Sequence, residues 1–170
     1  HAEITLLNPH IVPSLADQYA DQFRFVIGDG CRLPYADQSF DIVFSNSVIE
    51  HLGSLDRQRA FASEAQRVGR SFWIQTPARE FFIEPHLLTP FIHWLPSRAQ
   101  RRLLRHFTVW GLMTKPSVSE VRVFLDEVRL LTHSEMSTLF LGHTIQRERF
   151  LCFTKSYIAL HATAQQTKGV

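Results

Sequence analysis

Residues 28–52 read GDGCRLPYADQSFDIVFSNSVIEHL, and this stretch decides the fold. The apolar run Phe23–Ile27 ends sharply at Gly28-Asp29-Gly30, as a buried strand does where it meets a turn. The run Phe40–Ser45 is a second strand-like segment, separated from the first by the polar loop CRLPYADQS. The stretch therefore predicts two consecutive buried strands, each followed by polar residues at its carboxyl end.

The segments on either side of this stretch alternate between strand and helix patterns. Ile4–Leu7 is a short apolar run, and the helix-compatible segment Pro13–Tyr19 follows it. On the other side, Gln58–Val68 has its apolar residues at helical spacing, and the strand-like run Ser71–Thr76 comes next. Such alternation predicts an α/β fold with a Rossmann-like, mostly parallel sheet that is flanked by helices.

The middle of the chain breaks the alternation. Ala78–Leu95 is rich in Phe, Ile, Leu and Trp, contains Pro85 and Pro90, and keeps no period of two or 3.6 residues. Ser97–Phe107 follows as an amphipathic helix with four arginines, Arg98, Arg101, Arg102 and Arg105. We interpret residues 78–116 as an insertion or lid within the fold.

The last third returns to regular patterns. Two further helices are predicted, one over Ser117–Val128 and one opened by the capping-box pattern at Thr132. Ile145–Phe153 and Ser156–His161 are strand-like and predict an antiparallel closing pair, with the turn at Thr154-Lys155. A polar tail without regular structure is expected from Thr163 onward.

Length and composition limit the class of protein. With 170 residues, of which 45% are hydrophobic, the chain suits a single domain spanning residues 1–170. The net charge of +2 is too small to predict a nucleic acid as the main partner. Cys31 and Cys152 have no metal-ligand spacing, and no apolar run approaches the ~20 residues of a membrane span. We therefore expect free thiols in a soluble cytoplasmic protein.

The motif in residues 28–52, together with the order of elements, resembles class I S-adenosylmethionine-dependent methyltransferases of the small-molecule type. In that family, a G-D-x-x-x-L-P-F-x-D-x-S-F-D-x-V pattern precedes an E-H-L helix start. The motif-level match covers residues 3–76, and the remainder matches by element order. The resemblance implies S-adenosylmethionine as cofactor and direct methyl transfer to a small-molecule or lipid-like acceptor, with the protein supplying proximity and orientation.

The resemblance also implies cofactor-binding residues. Asp29, at the carboxyl end of a strand, would accept a hydrogen bond from the adenine amino group, and the backbone amide of Gly30 or Cys31 would bind the adenine ring. Asn46 and Ser47 would lie near the methionine part of the cofactor and the acceptor. From the residues alone, an Asx turn at Asp29 and an ordinary helix cap at Asn46-Ser47 are the alternatives.

Two features depart from the family pattern. Asn8 stands where the family has an acidic residue that binds the ribose hydroxyls, so ribose binding would be weaker. The glycine-rich loop that follows the family's first strand has no counterpart in the sequence. Since that strand lies between the family's second and fourth strands, its loss would leave a gap in the sheet. We predict an N-terminally truncated domain, and the alternatives are a sheet completed by another chain or closed by direct pairing of the second and fourth strands. Unpaired buried backbone groups at such a gap cost about 1–3 kcal/mol each.

Glu50-His51 lies at the start of the next predicted helix. A histidine here could remove a proton from an acceptor oxygen, since the imidazole pKa is ordinarily near 6.5. We interpret His51 as the candidate catalytic base and Glu50 as an acceptor-site residue, with a purely structural pair as the alternative. Some quinone-pathway O-methyltransferases, which the chain resembles here, have E-x-x-E-H at this point and bind a divalent cation with it, but this chain has Ser47 where the first Glu would stand. No metal ion is therefore expected.

The insertion supplies the remaining acceptor-site candidates, Phe82, His86 and Trp94, because the family commonly builds its acceptor pocket after the fifth strand. The arginine-rich helix could hold an anionic group of the acceptor, could rest on a membrane surface, or could be a solvated charged face. A homodimer is a further alternative that the sequence leaves open.

A second function remains open beside methyl transfer. A methyltransferase fold without a working cofactor site can serve as a non-catalytic binding or dimerisation module, and Asn8 together with the missing glycine-rich loop favours that hypothesis. Measuring cofactor binding separates the two functions.

Overall fold

The computed structural model describes residues 2–10 and 13–163. Within these ranges the chain forms eight strands, six α-helices and two short 3-10 helices. The first two strands, β1 (Thr5–Asn8) and β2 (Arg24–Ile27), are parallel and flank helix α1 (Pro13–Gln18). The predicted strand, helix, strand order of this region is confirmed.

A four-stranded sheet forms the centre of the molecule. It contains β3 (Phe40–Asn46), β4 (Gly69–Pro77), β7 (Thr144–Phe150) and β8 (Phe153–His161) in the order β3-β4-β8-β7. Strands β3 and β4 are parallel, whereas β8 runs antiparallel to both of its neighbours. The predicted mixed α/β fold with an antiparallel closing strand is confirmed.

In the described part of the chain, the β1-β2 pair and the four-stranded sheet do not form one continuous sheet. Strands β1 and β2 form a sheet of their own, and no hydrogen-bonded strand pair joins it to the four-stranded sheet within residues 2–10 and 13–163. This agrees with the interruption that the motif order predicts between these strands.

One face of the four-stranded sheet carries the main core. Helices α2 (Leu55–Val68) and α6 (His133–Leu139) pack there, so that Phe61 and Met136 meet Ile74 and Ala159 of the sheet. The alternation of β3 places Ile42 and Phe44 on the other face, where their side chains are 61% and 67% exposed. Most of the hydrophobic stabilisation of the sheet therefore comes from the α2 side.

Ser54 begins α2 earlier than the sequence pattern indicates. Its side chain accepts a hydrogen bond from the Arg57 N–H, so the helix starts at Leu55 rather than Gln58. The first apolar residue of the periodic pattern, Phe61, stands almost two turns inside this helix. Periodicity alone therefore placed the start too late.

The segment predicted as an insertion has more structure than expected. Strands β5 (Ile83–Glu84) and β6 (Thr89–Pro90) form a small hairpin, and a 3-10 helix at Ile92–Trp94 leads to α3 (Ser97–Phe107), where it was predicted. Helix α4 (Val109–Thr114) was not predicted, and α5 (Val118–Glu127) covers the segment predicted as Ser117–Val128. A second apolar cluster joins these elements through Leu87, Ile92, Leu104 and Val121.

The closing turn differs from the prediction. We expected it at Thr154-Lys155, but both residues belong to β8, and the turn lies at Leu151-Cys152. Leu151 adopts a left-handed backbone with φ of 54°, which closes the hairpin although the turn contains no glycine or proline. The tail predicted to lack structure lies outside the described residues from position 164 onward.

No helix in the described parts of the chain is both long enough and apolar enough to cross a bilayer. The longest, α2, has 14 residues and a charged outer face.

Candidate functional site

The Gly28-Asp29-Gly30 corner directly follows β2. The Cys31 N–H donates to Asp29 Oδ1 at 2.9 Å, so the Asx turn that the sequence suggested is formed. An added Cβ on Gly30 would lie 3.0 Å from the Phe61 ring, which explains why glycine fits beside α2. The Cys31 amide is already engaged, and of the two amides proposed for adenine only that of Gly30 has no partner among the described hydrogen bonds.

Arg57 completes this corner, and sequence reasoning missed it. Its Nη2 lies 3.2 Å from both carboxylate oxygens of Asp29. The Cys31 N–H is the largest influence that holds the pKa of Asp29 below its ordinary value, and Arg57 adds to it. Asp29 is therefore an ionised acceptor, about half exposed, at the carboxyl end of a parallel strand. Such a carboxylate is suited to accept a hydrogen bond from an adenine amino group.

Arg67 holds the loop between β2 and β3. Its guanidinium pairs with Glu64 at 2.7 Å and with Asp37 at 2.9 Å, and donates to the carbonyls of Leu33 and Tyr35. The Leu33 N–H in turn donates to Glu64 Oε2 at 2.6 Å. The LPYADQS loop is thus fixed to α2 by one charged network, in which Asp37 contributes its side chain and Leu33 and Tyr35 contribute backbone groups.

We expect the Arg67→Ala variant to have a lower unfolding free energy than the wild type at pH 7, because several charge-assisted bonds disappear together. The hydrogen bond from Arg67 lowers the pKa of Glu64 below its ordinary 4.5. A depressed pKa contributes stability above the ordinary value that is lost as pH falls through the folded value. Urea unfolding should therefore show the difference between wild type and variant shrinking below pH 4.5.

Arg59 provides the matched control on the same helix. It pairs only with Asp56 at the surface, so Arg59→Ala should change the unfolding free energy by less than about 0.5 kcal/mol at either pH. A loss in Arg67→Ala that stays constant from pH 7 to pH 3 would contradict the role of Glu64.

Asn8 ends β1, at the position predicted for ribose contacts. Its side chain is exposed, and Oδ1 accepts from the His10 N–H at 3.2 Å. An amide can accept a hydrogen bond from a ribose hydroxyl, but it carries no charge, unlike the acidic residue that the family has at this position.

Asn46 and Ser47 lie together at the carboxyl end of β3. Ser47 has a left-handed backbone with φ of 54°, and its hydroxyl lies 3.4 Å from Asn46 Oδ1 and 3.3 Å from Gln75 Oε1. Gln75, near the end of the neighbouring β4, was not predicted as a site residue. Because β3 and β4 are parallel, the ends of both strands present polar groups at the same edge.

Glu50 follows in a 3-10 helix, Ile49–Leu52, that Gly53 ends with φ of 71°. The residue is fully buried, with 0% of its surface exposed. Thr76 donates to Glu50 Oε2 at 2.9 Å, whereas the buried Oε1 has no hydrogen-bond partner. The predicted helix start is therefore a single 3-10 turn, which places the Glu50 carboxylate in the protein interior.

His51 meets His86 of the insertion. Their Nε2 atoms are 3.1 Å apart, and His86 Nδ1 lies 2.7 Å from Glu84 Oε1. The hydrogen bond with buried Glu84 raises the pKa of His86, and partial burial opposes that rise. Three of the predicted site residues, Glu50, His51 and His86, thus converge, and one ligand-type atom from each lies within 4.8 Å of the others.

The other two acceptor-site candidates lie in a different cluster. Phe82 contacts the rings of Phe91 and Phe153, and Phe91 contacts Trp94, whose indole N–H donates to the Arg79 carbonyl at 3.0 Å. Among the described residues, no hydrogen bond or ring contact joins this aromatic cluster to the pair of histidines. The aromatic residues of the insertion therefore pack mainly on one another.

A cavity of about 340 Å³ lies under the insertion, between α3 and α5. Such a volume is at the lower end of the range for small-molecule pockets. Among its lining residues are Arg79, Glu84, His93, Arg101 and Arg129. Arg79 and Arg101 take part in no ion pair within the described ranges, so both charges remain available to an anionic group.

Comparison with known proteins agrees with this arrangement. Residues 7–71 match the family model described as a methyltransferase domain. A comparison with curated proteins found no match.

Solved structures with the same fold include three of archaeal or bacterial origin. A protein of Pyrococcus horikoshii OT3 is 15% identical, with 95% of this chain and 72% of that one covered and a TM-score of 0.56. A SAM-dependent methyltransferase from Methanosarcina mazei is 14% identical over 93% and 80% of the two chains, with a TM-score of 0.51. A SAM-dependent methyltransferase from Aquifex aeolicus is 9% identical over 93% and 68%, with a TM-score of 0.52.

The match assigns residues 7–71 to a methyltransferase domain, and the structural likeness extends the fold to the rest of the described chain. Together they support a class I S-adenosylmethionine-dependent methyltransferase. S-adenosylmethionine is the cofactor of this class. The match over residues 7–71 contains the Asp29 corner, both ends of β3 and the Arg67 network.

Proposed function

We propose that the protein transfers the methyl group of S-adenosylmethionine to a small-molecule or lipid-like acceptor that is bound under the insertion. The observation that carries the proposal is the ionised, half-exposed Asp29 at the end of β2, inside the segment that matches the methyltransferase domain. A methyl cation equivalent moves by in-line displacement, for which the protein supplies mainly proximity and orientation.

The residues at the strand ends fit the cofactor along its length. Asp29 and the Gly30 amide would hold adenine, and Asn8 would contact the ribose. Asn46 and Ser47 would lie toward the methionine part, which carries the reactive methyl group. These side chains all stand at carboxyl ends of parallel strands, where open α/β sheets bind their ligands.

The acceptor is proposed to occupy the cavity beneath the insertion. Arg79 and Arg101 line that cavity and would bind an anionic group, in line with the role considered for the arginine-rich helix. Glu84 and His93 add polar groups to the same wall. The role of His51 as the base that receives the acceptor proton remains a sequence prediction.

We expect S-adenosylhomocysteine to bind with measurable heat in a calorimetric titration of the protein. Replacing Asp29 with Ala should weaken binding about 10-fold or more, because a charge-assisted hydrogen bond is worth roughly 1.5–3 kcal/mol. Asp41→Ala is the matched control, since Asp41 is an exposed aspartate that pairs only with Arg70.

The outcomes separate the two functions. Binding that is weakened by Asp29→Ala and unchanged by Asp41→Ala supports the enzyme. Absence of heat from the wild-type protein would contradict it and favour the non-catalytic module. Equal affinity in the two variants would show that adenine does not bind at Asp29.

A further inference from the structure

We propose that Glu50, His51 and His86 form a binding site for a divalent first-row cation of the zinc type. The three residues come from two distant segments: Glu50 and His51 follow β3, and His86 lies in the insertion hairpin. One carboxylate oxygen and one nitrogen of each imidazole lie within 4.8 Å of one another. The inference concerns metal binding itself and does not depend on methyl transfer.

The state of Glu50 is the first argument for a cation. Its side chain is completely buried, yet only Oε2 is hydrogen-bonded, and Oε1 has no partner. Glu50 also takes part in no ion pair within residues 2–10 and 13–163. Burying a carboxylate without a compensating charge costs several kcal/mol, about the amount that a bound cation would offset.

The orientation of His86 is the second argument. Glu84 is buried, and its Oε1 lies 2.7 Å from His86 Nδ1, while its Oε2 accepts the Leu87 N–H at 2.5 Å. With Nδ1 donating to this carboxylate, the lone pair of His86 Nε2 points away from Glu84 and toward His51. A carboxylate behind the imidazole is the arrangement that metal-binding histidines usually have.

The spacing of the two histidines is the third argument. Their Nε2 atoms are 3.1 Å apart. Two nitrogen ligands of a tetrahedral ion, each about 2.0–2.1 Å from it, lie roughly 3.3 Å apart. Because His51 is exposed, its ring can turn to release the contact with His86 and share a metal ion instead.

The ligand types select the metal. Two imidazoles and one carboxylate suit zinc and neighbouring first-row ions, whereas magnesium and calcium prefer oxygen ligands throughout. Three protein ligands leave at least one position for water or for an oxygen of the acceptor. If the proposed methyl transfer is correct, such an ion would lie beside the ligand crevice at the end of β3.

This inference replaces two expectations from the sequence. Ser47 led us to expect no metal ion, but the third ligand comes from His86, which is 35 residues beyond His51. A histidine nitrogen that binds a metal has no free lone pair for a proton. His51 would then position the ion and would not act as a free base.

Titration of zinc into the metal-free protein tests the proposal, with calorimetry for affinity and cobalt absorption for coordination. We expect one ion per chain, bound far more tightly than magnesium. His51→Gln, His86→Gln and Glu50→Gln should each weaken zinc binding about 100-fold or more. Glu84→Gln should weaken it about 10- to 100-fold by acting through His86.

The chain offers a matched control for histidine pairs. The rings of His143 and His161 are 4.8 Å apart, like the 4.7 Å of His51 and His86, but this pair belongs to no described group of three ligands. His143→Gln should therefore leave zinc affinity unchanged. His51 is exposed, so its variant should keep the fold and keep the test valid if a buried variant unfolds.

The results have distinct meanings. Zinc binding that is lost in His51→Gln and kept in His143→Gln supports the site. Absence of stoichiometric binding, or equal binding in both variants, overturns it. Titrating S-adenosylhomocysteine into the same samples reports separately on the proposed methyl transfer, because Asp29 contributes nothing to the zinc site.

Discussion

The Gln58→Leu variant is expected to unfold with a free energy about 3 kcal/mol below that of the wild type. Gln58 is completely buried within α2, and its side chain makes three hydrogen bonds. Its Nε2 donates to the carbonyls of Ile49 and Arg129 at 3.0 and 2.9 Å, and its Oε1 accepts from Arg129 Nη1 at 2.7 Å. Leucine fills a similar volume but leaves all three partners unpaired.

The size of the effect follows from burial. Each orphaned buried polar group costs about 1–3 kcal/mol, and partial relaxation of Arg129, which also pairs with Glu135, reduces the sum. A loss of about 3 kcal/mol is a large share of the roughly 5–15 kcal/mol that stabilise a domain. The same bonds fix Ile49 ahead of Glu50 and His51, so the substitution should also weaken zinc binding indirectly.

Urea unfolding followed by circular dichroism measures this difference. Ser63→Ala on the exposed side of the same helix is the control, and its unfolding free energy should stay within about 0.5 kcal/mol of the wild type. A Gln58→Leu variant as stable as this control would show that the buried network contributes little net stability.

The parts of the fold that local pattern determines could be predicted from the sequence. Alternation of apolar runs with helical periodicity located β1 to β4 and α2. Of these, β3, β4 and α2 share the main core, whereas β1 and β2 pair with each other outside it. The helical spacing of apolar residues located α5, and the capping-box pattern at Thr132 located α6. In the structure both helices begin with a capping box, formed by Ser117 with Glu120 and by Thr132 with Glu135. Helix α4 also begins at a capping threonine, Thr108, whose side chain accepts from the Gly111 N–H, but it has no capping box and Gly111 interrupts its 6 residues.

The candidate site was predictable only in part, for a physical reason. Asp29, Asn46 and Ser47 follow strands directly, so their placement depends on local structure alone. The contacts of Arg57 with Asp29 and of His51 with His86 join residues 28 and 35 positions apart. Such contacts depend on how the insertion and α2 pack, and no periodicity in the sequence reports that packing.

The second large effect is expected from Gly111→Ala in α4. A Cβ at this position would lie 2.0 Å from the Leu104 carbonyl oxygen and 2.7 Å from that of Arg105. Both oxygens belong to the backbone of α3, so no side-chain rotation can relieve the contact. We expect the two helices to separate, at a cost of about 3 kcal/mol or more.

In the Gly111→Ala variant, local unfolding should begin in the insertion. Leu104 belongs to the apolar cluster with Leu87, Ile92 and Val121, whereas the sheet core around Ile74 is a separate cluster. Hydrogen exchange should therefore show earlier loss of protection in α3 and α4 than in β4. Met113→Ala in the same helix is the control, because that side chain is 79% exposed and should cost less than about 0.5 kcal/mol.

This comparison also tests how the zinc site is built. His86 lies next to Leu87, so separating α3 from α4 should loosen the hairpin that presents its imidazole. Zinc affinity should then fall in Gly111→Ala although no ligand has changed, while Glu50 and His51 remain held by the sheet core. Unchanged protection in α3 and unchanged zinc affinity would together mean that the insertion accommodates the added methyl group and that its packing does not position His86.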